Sequence, residues 1–110
     1  MIRLVLLAAI ALAWSSPAHA YRLPWCGFYM MRYFGKTDRR LALAREWARE
    51  GVGARGPGAG VVVVWAHHVG EIRGGPNGRG QWLVHSGNDG NAVRTRWRSL
   101  RGAIAFRWVR

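Results

Sequence analysis

Ten residues with five glycines and one proline, positions 51–60, split the chain into two parts with different periodicity. Such a stretch forms a loop, because glycine and proline break both regular ladders. Before it the apolar residues follow a helical spacing. Pro24 suits a first helical turn, and the apolar and aromatic residues behind it predict a buried helix over 25–34, closed by Gly35. Asp38 is a good N-cap for a second helix over 39–50, with Leu41, Ala44, Trp47 and Ala48 on one face. After the loop the runs become short and β-branched. Val61-Val62-Val63-Val64-Trp65 predicts a strand buried on both faces. Further strands are expected over 68–73, 81–85 and 103–108, with turns at 74–80 and 86–90. Residues 94–98 are expected as an exposed strand or a loop. Helices first and an antiparallel sheet afterwards make α+β the natural class. No internal repeat is present.

Residues 1–20, MIRLVLLAAIALAWSSPAHA, carry the three parts of a secretory signal in order. Arg3 supplies a positive start and an apolar run follows. Ser15, Ser16 and Pro17 break that run, and Ala18-His19-Ala20 forms a cleavage site. The run is short for a membrane span, which needs about 20 apolar residues. A removed signal over 1–20 and one domain over 21–110 are therefore expected. The product would be exported, periplasmic or secreted, with no stable span after cleavage; an uncleaved anchor is the alternative. Trp25 before Cys26 argues against lipid attachment.

Half the residues are apolar, too many for a disordered chain. One cysteine excludes an internal disulfide and a thiolate-rich zinc site. An unpaired thiol in an exported protein is a liability unless it is buried or used. The charge is +12, from 17 basic residues against 5 acidic ones, and all the basic residues but Lys36 are arginine. That balance points to an anionic partner, such as a cell-envelope polymer, a lipid surface or nucleic acid, or else to a habitual use of arginine on the surface.

Cys26 is expected at a helix N-terminus, where free amides and the helix dipole lower a thiol pKa. A nucleophile needs a base, and the base an orienting group. Of His67, His68 and His85, His68 opens one expected strand and His85 ends the next. Antiparallel pairing brings those two ends to one edge of the sheet. The plainer reading is a small buried thiol and two ordinary strand-end histidines. Metal binding by His67, His68, His85 and Asp89 is weaker, since adjacent strand residues point to opposite faces. Residues 51–60 are not a phosphate loop, because no Lys-Ser/Thr follows and a strand, not a helix, comes next. The aromatics do not interleave with arginine in the manner of an RNA-stacking sheet.

The order of these features resembles the CHAP family of cysteine, histidine-dependent amidohydrolases/peptidases and, more distantly, the NlpC-type cell-wall cysteine peptidases. The resemblance runs through Trp25-Cys26-Gly27-Phe28-Tyr29, the helix around Trp47, and Pro57-Gly58 before the valine strand. It continues in His68-Val69-Gly70 and in Trp82-Leu83-Val84-His85-Ser86-Gly87-Asn88, so it spans residues 21 to about 91. It implies a papain-like fold, with helices packed on a small antiparallel sheet. It implies Cys26 as nucleophile, His68 before Val-Gly as general base, and His85 as the third member orienting His68. Asn88 matches a family asparagine with an offset of one residue. The implied activity is cleavage of amide bonds in peptidoglycan or another anionic envelope polymer, as amidase or endopeptidase, with no cofactor, no metal and no obligate nucleic acid. The rival reading is a non-catalytic basic protein on the same scaffold, binding anionic polymer or nucleic acid through Arg94, Arg96, Arg98 and Arg101.

Overall fold

The computed structural model describes residues 25–110; the expected signal over 1–20 lies outside the described residues. Among the described residues one α-helix, α1 (Cys26–Phe34), and two 3-10 helices (Arg39–Ala42 and Ala44–Arg49) precede six strands. These are β1 (Val52–Gly53), β2 (Val62–Val64), β3 (Val69–Gly74), β4 (Trp82–Ser86), β5 (Arg94–Arg98) and β6 (Ala105–Trp108). They form one antiparallel sheet in the order β1-β6-β2-β3-β4-β5. The class is α+β. Among the described residues no helix is long and apolar enough to cross a membrane.

The first helix follows its prediction closely. Gly35 adopts the left-handed conformation at its end, and the Lys36 amide donates to the Met31 carbonyl at 2.7 Å, which satisfies a carbonyl the helix leaves free. The second helix does not form as one α-helix. Asp38 caps it as expected, accepting from the Arg40 amide, but the chain is extended at Leu43 and divides there into two 3-10 turns. The cause is tertiary. The Trp47 indole donates to the Leu41 carbonyl at 2.7 Å, taking an acceptor that an α-helix would use internally. Gly27 of α1 also packs so close that a Cβ there would lie 2.5 Å from the Ala42 carbonyl oxygen. That approach needs glycine and fixes the start of α1 against this segment.

Strand β2 explains its own unbroken valine run. Val62 and Val64 pack beneath α1 with Cys26, Met30, Met31, Leu41, Trp47 and Val69. Val61 and Val63 face the other way, with Ile72 and Val84. Trp65, Trp82, Leu100 and Phe106 shield that second cluster. A strand covered on both faces loses the alternation of a half-exposed one. β1 leaves no pattern in the sequence. It lies inside the glycine-rich segment and is only two residues long, too short for a period.

Candidate active site

Cys26 is the first residue of α1 and is almost fully buried, at 1% exposure. It lines a pocket of about 210 Å³ together with Ala42, Leu43, Ala44, Arg45, Ala66 and His67. Its thiol donates weakly to the His67 carbonyl, Sγ to oxygen 3.7 Å. The expectation of a lowered thiol pKa is reversed. Burial pushes it above the ordinary value, against the amides of Val69, Gly27 and Cys26 itself, which pull it down. The helix terminus acts as expected, but desolvation is the larger effect.

The sulfur thus lies against the backbone of residues 67–69, the stretch that carries His68. The His68 ring is half-buried, and its Nε2 meets the Ser86 hydroxyl at 2.9 Å. Its Nδ1 has no hydrogen-bond partner among the described residues. Its pKa is lowered to about 4, chiefly by burial, with Arg98 and more weakly Arg96 adding to the fall and Asp89 opposing it. The ring therefore stays neutral at ordinary pH. Trp65 tilts against it at 5.7 Å between ring centres, and the Arg98 guanidinium sits 4.6 Å over Trp65. Asp89, itself buried, holds Arg96 at 2.6 Å and Arg98 at 3.7 Å.

Ser86 was not singled out in the sequence. It is fully buried at the end of β4, one residue beyond His85. Gly70 makes room for it, since a Cβ at position 70 would lie 3.0 Å from the Ser86 Cβ. The signal available was the facing pair of small residues, Gly70 in His-Val-Gly and Ser86 in His-Ser-Gly.

His85 lies elsewhere. Successive strand residues point to opposite faces, so His85 lies on the α1 side while Ser86 lies on the other. Its Nε2 meets the Tyr29 hydroxyl and its Nδ1 the Thr95 hydroxyl, each at 2.7 Å. Burial lowers its pKa, Arg73 adds to that, and Glu71 opposes it. Both ring nitrogens are occupied by hydroxyls, and the group that meets the His68 ring is Ser86. Asn88 lies in the loop that leaves β4, with a positive φ of 53°. Arg94, Arg96 and Arg98 lie on β5, the strand rather than the loop of the two expectations for 94–98, and two of them are bound to Asp89.

Beside His85 runs a second polar group. Buried Glu71 accepts from Tyr33 at 2.9 Å and pairs with Arg73 at 3.0 Å and Arg110 at 3.4 Å. Each acidic residue of the chain is held in such a pair: Asp38 by Arg40, Glu46 by Arg49, and Glu50 by Lys36 and Arg40 complete the set. Among the described residues no group of three or more His, Cys, Asp or Glu side chains has a metal-binding arrangement. Comparison of the chain with protein-family models, with curated proteins and with solved structures finds no match in any of the three.

Proposed function

We propose that the protein is an exported cysteine hydrolase with a papain-like arrangement of the CHAP and NlpC kind, cleaving amide bonds in peptidoglycan. One observation carries the reading. A lone thiol at a helix start borders a pocket and lies against the backbone on both sides of a histidine whose far nitrogen is already held.

In the reaction the Cys26 sulfur attacks the amide carbonyl and its proton passes to His68 Nδ1. The thiol and imidazole begin neutral, so the proton moves during attack instead of resting on histidine beforehand. The amides of Cys26 and Gly27 lie where a helix start can hold the developing oxyanion. His68 then gives its proton to the leaving amine as the C–N bond breaks. Water, deprotonated by His68, cleaves the thioester and restores the thiol. Ser86, bonded to Nε2, is a positioning residue in this reading, and Nδ1 is the ring nitrogen left for the proton. The strongly basic surface favours anionic wall material, and that attraction weakens with salt.

The test is release of soluble fragments from purified wall material by the mature protein and by Cys26→Ala, His68→Ala and His67→Ala. The expected result is loss with the first two and retention with the third. Loss with His67→Ala alone would move the base by one residue. Unchanged release in Cys26→Ala would end the hydrolase reading. Salt-sensitive binding of wall polymer by that variant would then favour the basic binding protein instead.

A further inference from the structure

The pocket over Cys26 is not chemically neutral. Three of its walls are alanines, Ala42, Ala44 and Ala66, which leave room beside the sulfur for a group of only a few carbons. Leu43, well exposed, adds an apolar lip. Arg45 supplies the one cation with a permanent charge among the lining residues. Its neighbours are neutralised within the chain: Arg40 and Arg49 are bound by Asp38, Glu46 and Glu50. Arg45 has no ion pair among the described residues, and all five Asp and Glu side chains are already committed elsewhere. Arg45, an exposed residue, therefore lines a small, mostly apolar cavity that Cys26 also lines. Such a cation keeps its field better beside low-dielectric walls than on open surface.

We infer that this pocket accepts a short acyl group bearing a carboxylate, which Arg45 holds while the carbonyl reaches Cys26. The inference rests on the hydrolase reading for its use in catalysis. The pocket's preference for an anion can be measured without any turnover.

The probe is a pair of alkylating reagents, iodoacetate and iodoacetamide. Both form the same bond from the thiolate sulfur to a CH₂ carbon and expel iodide. They differ only in a carboxylate against an amide. Cys26 is the sole thiol, so labelling is unambiguous. Because the same thiolate attacks both, its pKa cancels from the ratio of the two rates. The ratio is expected to exceed that of a free small thiol by about 3- to 10-fold at low salt, as one partly shielded charge pair gives. It should fall to the free-thiol ratio in Arg45→Gln and shrink as salt rises. Arg49→Gln, which removes a paired cation outside the pocket, should leave it unchanged. A wild-type ratio equal to that of the free thiol would overturn the inference. So would a ratio indifferent to Arg45→Gln, or a thiol that neither reagent reaches. Anion preference without wall release would sink the hydrolase reading and keep this one; wall release without the preference would do the reverse.

Discussion

His68 and His85 sit one strand apart, and each is bonded to a hydroxyl, yet they are differently placed for chemistry. His85 has a hydroxyl on either ring nitrogen, one from α1 and one from β5. It is a strut that ties the helix to the outer strand. His68 has one nitrogen held by Ser86 and the other without a bond among the described residues, on a backbone segment that touches the only thiol. A histidine used in proton transfer needs a nitrogen not already taken. The count of committed nitrogens separates the two.

The largest expected effect breaks the comparison outright. His68→Ala should lower wall-fragment release by about 10³-fold or more, as loss of a base does when it acts together with its nucleophile. His85→Gln should change it less than about 10-fold. A reversed ranking in the same assay would exchange their roles. The next effect is on stability at low pH. The unfolded chain protonates His68 near 6.5, the folded chain only near 4. Between those values the unfolded state binds the extra proton, so stability falls as pH drops through that window and levels off below it. Discounted for partial exposure, the loss is about 2 kcal/mol. Thermal melts at pH 7 and 4.5 should show a smaller acid penalty in His68→Gln than in wild type, and a lesser change in His85→Gln.

Ser86→Ala sharpens the contrast. It leaves Nε2 of the half-buried ring without its partner, at a cost of about 1–2 kcal/mol in stability. If Ser86 positions the ring, kcat should fall about 10-fold and the acid limb of the pH–rate profile should move. Lost stability with an unmoved profile would reduce Ser86 to packing. The smallest effect is that of Tyr29→Phe, which frees one nitrogen of His85. Chemical denaturation should show a loss of about 1 kcal/mol, with wall release unchanged.

Much of this architecture can be read from residue order, and the failures have physical causes. The valine run, Gly35 and Asp38 act locally, through burial, left-handed backbone and capping, so their effects follow from the sequence. The split at Leu43 depends on an indole six residues from the carbonyl it takes and on the approach of Gly27, neither of which leaves a local pattern. The side chain that meets the His68 ring lies one position beyond the one expected. Shifting a strand residue by one moves a side chain across the sheet, and β4 ends at Ser86, not His85. The thiol pKa fails in sign, because a helix terminus can be seen in a sequence and depth of burial cannot. Arg45 carries no signal at all until folding has consumed the other charges around it.

Among the described residues the sheet has two free margins, β1 and β5. An uncovered strand margin invites a second copy to add on and so begin a fibre. Here one margin is two residues long, too little to template a ladder. The other is RTRWR, with arginine at every second position. Two copies aligned along that margin would bring like charges together, so the fold resists zipping into polymers even where the protein is crowded.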